Sequence, residues 1–244
     1  MRSFTYLDFL AYMGVGNAHP GGLELTKKIV KASRLRKDDH ILDVGCGTGL
    51  TAAYLVSEYG CQVTAIDIHP EMVKKAQRRF KEANLPIILK RANAENLPFP
   101  DQTFDVVITE SVTAFTDIYR SLKEYQRVLK DGGTLLALEM TAEDVLNNED
   151  KQSIQNLYGM NQILTEQQWM VAIEQAGFNP IEILFSGKAS EHLVYQNELL
   201  ETSMPIFEPS EQVDTDIYNI WADHELLILK YQSVLGHRVF KAIK

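Results

Sequence analysis

Three glycines at alternate positions, Gly45, Gly47 and Gly49 in Asp43-Val44-Gly45-Cys46-Gly47-Thr48-Gly49, follow the apolar run HILDVG (40–45) and precede a helical pattern at 49–59. No other feature of the chain constrains its fold so tightly. Without Cβ at these positions, a chain leaving a strand can turn sharply into a helix, with backbone N–H groups facing a crevice at the strand's carboxyl end. A ligand with a carboxylate or phosphate is implied. The spacing narrows it further. A dinucleotide fingerprint needs a third glycine where this chain has Leu50, whereas the pattern here is G-x-G-x-G with an acid, Asp43, just ahead. Asp67 closes the next β-rich run, 22 residues beyond Gly45, where a carboxylate can accept both hydroxyls of a ribose. A ribose without a pyrophosphate is the simplest reading.

Around this loop, short β-rich runs alternate with helical patterns. The strands expected are HILDVG, CQVTAID (61–67), IILKRAN (87–93), FDVVITE (104–110) and TLLALEM (134–140). Helices are expected at 49–59, at 70–83 opening on Pro70, and at 117–130 closing at Asp131-Gly132-Gly133. The alternation predicts an α/β fold with a parallel sheet. Upstream, 4–14 and 23–34 read as helices separated by the turn GVGNAHPGG (14–22). Downstream, helices are expected at 142–158 and at 165–176, the latter capped by Thr165 with Gln168. NPIEILFS (179–186) reads as a strand, 190–236 as largely helical, and HRVFKAIK (237–244) as a last strand.

The formal charge is −9 over 244 residues, so binding to a polyphosphate would work against the mean field, and nucleic acid is not an expected partner. The acid is concentrated late: residues 1–140 hold 18 Lys/Arg against 17 Asp/Glu, and residues 141–244 hold 6 against 16. The basic run Lys74-Lys75-Ala76-Gln77-Arg78-Arg79-Phe80-Lys81 reads as the solvated face of a crossover helix. No 18-residue apolar stretch and no basic leader occur, so no membrane partner is expected. With only Cys46 and Cys61, and no metal-ligand spacing, a reducing cytoplasmic setting and a metal-free site are the expectations.

ILDVGCGTG, AID at the end of the second strand, NAENLPFPDQTFDVVI and RVLKDGGTLLALE, in that order, resemble the class I S-adenosylmethionine-dependent methyltransferases, in their ubiquinone/menaquinone-type small-molecule branch. The resemblance covers roughly residues 35–140. It implies a Rossmann-like, doubly wound seven-stranded sheet ordered 3-2-1-4-5-7-6 with strand 7 antiparallel. It also implies S-adenosyl-L-methionine as cofactor. Its methionine end would lie on Gly45, Cys46, Gly47 and Gly49 with Asp43 orienting it, its ribose on Asp67, and its adenine against Ile68 and the segment of Asn93 and Ala94. Asn93 stands where the family usually has aspartate; its side-chain oxygen can still accept. A shorter stretch, GVGNAHPGGLELTKKIV (14–30), is similar to the segment that phosphoethanolamine-type methyltransferases place before their first motif. That likeness would put His19, Gly21 and Gly22 at the methionine end. The basic residues and the histidine after strand four that such enzymes use are not matched by Thr109-Glu110-Ser111-Val112-Thr113-Ala114-Phe115.

The expected organisation is an N-terminal helical cap segment (1–34), a cofactor-binding core (35–140) and a remainder (141–244) with a cap insertion at 190–236. Glu110, ending strand four at the ligand face, and His19 are the candidate catalytic residues, Glu110 also touching cofactor. Glu139 and Met140 could face the same crevice. His192 and His224 read as ordinary cap histidines, and Trp169, Tyr195, Phe207, Tyr218 and Trp221 as mostly core. Methyl transfer to a small-molecule acceptor through N, O or C is the function expected, by a monomer or homodimer. An aminopropyltransferase-like enzyme and a non-catalytic S-adenosylmethionine-binding protein are the alternatives.

Overall fold

The computed structural model describes residues 4–144, 146–189 and 206–244. The expectations for His192 and Tyr195, and for most of the first half of the 190–236 insertion, lie outside the described residues. Seven strands form the main sheet: β1 His40–Val44, β2 Gln62–Asp67, β3 Ile88–Arg91, β4 Phe104–Glu110, β5 Leu129–Ala142, β6 Ile181–Lys188 and β7 Leu235–Ile243. Their order is 3-2-1-4-5-7-6, parallel through the first five, with β7 antiparallel to β5 and β6. That is the order the family resemblance implies.

Apolar residues alternate across the strands because both faces are covered. Leu42, Val44, Val107 and Leu135 enter one apolar layer; Ile41, Val63, Val106 and Leu136 enter the other. The helices are α1 Tyr6–Met13, α2 Gly22–Ser33, α3 Leu50–Tyr54, α4 Pro70–Glu82, α5 Ile118–Val128, α6 Asn148–Tyr158, α7 Glu166–Gln175 and α8 Asp216–Tyr231. Their starts obey local chemistry: the Asp117 side chain accepts from Arg120 N, and Thr165 and Gln168 form a reciprocal capping box. Among the described residues, no helix is long and apolar enough to cross a membrane.

Tertiary pairing moves several boundaries. Asp131-Gly132-Gly133 does not stop a helix. α5 ends at Val128, and the glycines form an irregularity inside β5, where Phe104 pairs with Leu129 but Val106 with Thr134. Two backbone bonds to Lys244 at the far end of the chain hold it there. The helix expected at 49–59 changes to a π-helical turn over Leu55–Tyr59. The one expected from 142 begins only at Asn148, capped by Asn147, because Thr141 and Ala142 still pair with β7.

Above the carboxyl ends of the strands, α1, α6 and α8 pack together. Tyr6 meets Tyr158 edge-on with ring centroids 4.7 Å apart, Tyr158 Oη lies 2.9 Å from His224 Nδ1, and the Tyr231 hydroxyl donates to Asp150. Burial lowers the pKa of His224, as befits a core histidine. Trp169, also core, donates its indole N–H to Met140 O. α2 does not join this unit; its Leu25, Ile29 and Val30 belong to the apolar layer containing Ile41 and Val63.

The basic run on α4 is a correction to the sequence reading. Lys75 is buried and donates to Glu208 O (2.6 Å) and Ser210 Oγ (3.0 Å), while Arg78 and Arg79 both pair with the Glu208 carboxylate. The segment 206–210 lies across α4 and binds the N-terminal region: Val15–Gly16 pairs antiparallel with Ile206–Phe207, and Ser210 N donates to Tyr12 O. This long-range clamp has no local signature. Lys75→Met leaves a buried carbonyl and hydroxyl without their donor, and a loss of about 1–3 kcal/mol in urea unfolding is expected; a change within about 0.5 kcal/mol, usual for surface sites, would contradict the clamp.

Candidate active site

The three loop glycines all have left-handed backbones, with φ of 67° at Gly45, 54° at Gly47 and 84° at Gly49, but they have different neighbours. A Cβ on Gly45 would stand 2.3 Å from Val112 Cγ2, and one on Gly49 2.6 Å from Phe80 Cε1. At Gly47 the nearest atom would be Met72 Cε at 4.0 Å. Two glycines thus allow close packing and the middle one faces open space. Gly21, with φ of 76°, begins α2, where a Cβ would meet Leu25 Cβ at 2.6 Å.

That space is a cavity of about 260 Å³ at the carboxyl ends of β1, β2 and β4. It lies just below the roughly 300–1,000 Å³ common for small-ligand sites. Asp43, Gly45, Cys46, Gly47, Asp67, Ile68, Asn93, Ala94, Glu110 and His19 all contribute to its wall, whereas Gly21, Gly22, Gly49, Glu139 and Met140 do not. Sequence reasoning missed Leu7, Leu10 and Asn17, Thr48 and Thr51, His69, and Ser111, Val112 and Phe115, which also line it. Thr48 lies inside the glycine motif and Thr51 two residues beyond it, so both could have been found there. The α1 residues could not, since only tertiary packing brings them there.

Several wall groups are held in place by the backbone. Asp67 Oδ2 accepts from Gly47 N (2.9 Å) and Oδ1 from His69 N (2.8 Å), tying the end of β2 to the glycine loop. Burial raises its pKa, and these bonds oppose the rise. Asn93 Oδ1 accepts from Glu95 N, leaving its second lone pair and its amide N–H groups. Burial, with Glu110 and Asp67 nearby, raises the Asp43 carboxyl well above the usual range. Burial likewise pushes up the Cys46 thiol, keeping it protonated and inert. Three polar atoms of the wall are buried without a hydrogen-bond partner: Asp43 Oδ2, Thr48 Oγ1 and Ser111 Oγ. Ser111, at the end of β4, also has a left-handed φ of 58° and donates its N–H to Leu138 O at 2.6 Å. Unpaired buried groups and a strained non-glycine backbone both concentrate at ligand sites.

His19 and Glu110 form a closed cluster. Glu110 accepts from Thr26 Oγ1 at Oε1 and from Thr51 Oγ1 at Oε2, each at 2.6 Å, and His19 Nε2 lies 3.7 Å from Oε2. His19 Nδ1 faces Pro20 O (3.2 Å), and Nε2 faces Thr26 Oγ1 (3.3 Å), whose own proton goes to Glu110. Both ring nitrogens therefore face oxygen atoms of neighbouring groups.

Glu139 sits behind the wall. Fully buried, it accepts from Thr113 N (3.1 Å) and Ala114 N (3.2 Å), fixing the turn that follows Ser111. Burial pushes its carboxyl up to about 7 from an ordinary value of 4.5, against those hydrogen bonds. Between those values the folded chain keeps a proton that the unfolded chain has released, so stability falls as pH rises, by up to about 1.4 kcal/mol per unit. Glu139→Gln stays neutral throughout. Its stability relative to the parent is expected to rise by about 1–3 kcal/mol between pH 5 and pH 8; a pH-independent difference in urea unfolding would contradict the assignment.

Comparison with known proteins fits this geometry. A methyltransferase domain profile matches residues 42–137, the span from β1 to β5. An uncharacterized methyltransferase, YodH of Bacillus subtilis (strain 168), is 34% identical over 245 residues, covering 98% of this chain and 99% of the relative. The chain belongs to the class I S-adenosylmethionine-dependent methyltransferases. Another family member, a demethylmenaquinone methyltransferase of Chlorobaculum parvum, is 33% identical over 56% of this chain and 55% of its own length. Among solved structures, phosphoethanolamine N-methyltransferase 2 of Haemonchus contortus, in complex with phosphomonomethylethanolamine and S-adenosylhomocysteine, superposes with a TM-score of 0.76 at 20% identity. It covers 98% of this chain and 57% of that one, a likeness of fold.

Proposed function

We propose that this methyltransferase acts on a small-molecule acceptor bound in the cavity beside S-adenosylmethionine. The observation that supports it best is the set of three buried, unpartnered atoms, Asp43 Oδ2, Thr48 Oγ1 and Ser111 Oγ, all in one wall with the open face of Gly47. Groups of this kind fit a ligand with donors and acceptors of its own. The glycine loop and Asp43 would hold the methionine end, Asp67 the ribose through its remaining lone pairs, and Ile68, Asn93 and Ala94 the adenine. When bound, the cofactor supplies a methyl activated on a sulfonium.

The chain's own residues align and desolvate the reactants. α1, α6 and α8 would form the cap. The chain would thus divide into an N-terminal segment (1–34), a cofactor core (35–140) and a remainder (141–244), in a cytoplasmic protein. We assign His19 and Glu110 a positioning role in place of the base role expected from sequence, because each already satisfies the other's neighbourhood. They tie the 14–22 turn and α2 to α3 and β4. The test is methyl-labelled S-adenosylmethionine with a cell extract fractionated by mass. Label in molecules below about 1 kDa supports the reading; label confined to protein or nucleic acid contradicts it.

A further inference from the structure

A neutral side chain would be easier to bury than the Glu139 carboxylate, which stands behind the cavity wall with no solvent contact. Its two oxygens divide two backbone donors between them, Thr113 N at Oε1 and Ala114 N at Oε2. These are the opening N–H groups of the 3-10 turn Thr113–Phe115. An amide in the same place offers one acceptor oxygen, and its NH2 would confront the second N–H. Beneath the turn, the buried hydroxyls of Thr109 and Thr113 lie 3.3 Å apart.

Several parts of the site meet at this turn. Just before it, Ser111 holds its left-handed backbone and its unpartnered Oγ in the cavity wall. Val112 presses on the glycine loop, leaving no room for a Cβ on Gly45. Phe115 lines the cavity, stacks on Tyr6 of α1 with centroids 6.3 Å apart, and meets Tyr158 of α6 edge-on at 6.4 Å. One short stretch therefore joins the glycine loop to the packed helices above it, and Glu139 grips its middle.

We infer that Glu139 is a positioning residue: by holding Thr113 N and Ala114 N it sets the Ser111–Phe115 wall against the adenosyl ligand, and so governs how tightly that ligand is held. This rests on the reading above of the cavity as the adenosyl site. Charge is what gives the side chain its grip. Protonated, one oxygen becomes a hydroxyl and the group resembles the amide; ionised, both oxygens accept, in stronger charge-assisted bonds. Burial pushes this carboxyl up to about 7, so the two states exchange in the neutral range. Tyr125 of α5 faces it, kept neutral by burial, and Arg238 lies opposite on β7, kept charged by Glu143 and Glu166. Neither changes charge near neutral pH. Ionisation thus lowers the stability of the whole fold while tightening the turn, and ligand affinity and stability move in opposite directions with pH.

Calorimetry of the full chain with S-adenosylhomocysteine, parent against Glu139→Gln, tests this between about pH 5.5 and about pH 8.5, on either side of the transition. The variant mimics the protonated parent, so it folds where the parent is protonated. Groups that titrate elsewhere in the cavity act on both proteins and cancel in the ratio of their affinities. Near-equal binding at the acid end is expected, with the variant about tenfold weaker at the alkaline end, where it lacks one hydrogen bond to a charged group. A ratio that stays constant, or that moves the other way, overturns the inference and leaves the adenosyl reading standing. No binding by the parent at any pH overturns both. Hydrogen exchange gives a second measurement on the unaltered chain without ligand. Corrected for intrinsic rates, protection of the Thr113 and Ala114 amides is expected to rise through neutral pH while that of the core strands falls; a fall at both places overturns the inference.

Discussion

Asp67→Ala is expected to weaken S-adenosylhomocysteine binding by roughly 10- to 150-fold, the equivalent of about 1.5–3 kcal/mol for hydrogen bonds to a charged group. Two losses combine. On the proposed placement the ribose hydroxyls lose their acceptor, and Gly47 N and His69 N, which Asp67 holds at 2.9 and 2.8 Å, lose theirs. Asp67→Asn separates them, since its one carbonyl oxygen still accepts but its amide opposes the second N–H; an intermediate affinity is expected. Calorimetry of both variants, with thermal unfolding as the check on folding, reads the effect. An Asp67→Ala protein that is folded and binds as tightly as the parent would refute the ribose placement.

Alanine at Gly45 and at Gly47 should have opposite profiles, although both glycines have left-handed backbones. Gly45→Ala drives a methyl to 2.3 Å from Val112 Cγ2, adding overpacking of about 1–3 kcal/mol to the backbone strain of about 1–2 kcal/mol. The displaced Val112 belongs to the turn bearing Ser111, so both stability and binding should fall. Gly47→Ala meets no atom nearer than 4.0 Å, so it incurs the backbone strain alone. Its methyl borders the cavity, and binding should suffer more than folding. Urea unfolding and calorimetry on the two proteins decide the matter; Gly47→Ala losing as much stability as Gly45→Ala would contradict the division of labour in the loop.

Much of this was legible because the decisive signals are local. The strand order came with the family resemblance that four motifs carry, while the glycine loop, with Asp43 just ahead of it, and Asp67 could be read from their spacing. Features requiring contact between distant segments were not legible. Lys75 looks like any solvent-facing lysine until the 206–210 segment lies over it. The Asp131-Gly132-Gly133 stretch looks like a helix stop until Lys244 pairs with it. Glu110 could be placed at the crevice, but nothing in the sequence indicated that Thr26 and Thr51 would occupy both its oxygens. Ser111 gave no sign at all, since its backbone conformation comes from the turn held by Glu139.

The central claim is that the cavity beside the glycine loop is built for an adenosyl ligand with one ribose and no pyrophosphate. The measurement that tests it most directly is calorimetric titration of the full chain with S-adenosylmethionine, S-adenosylhomocysteine and NADH in turn. Binding of the two adenosyl ligands with no heat from NADH is the predicted result. Binding of NADH without either of the others would contradict it.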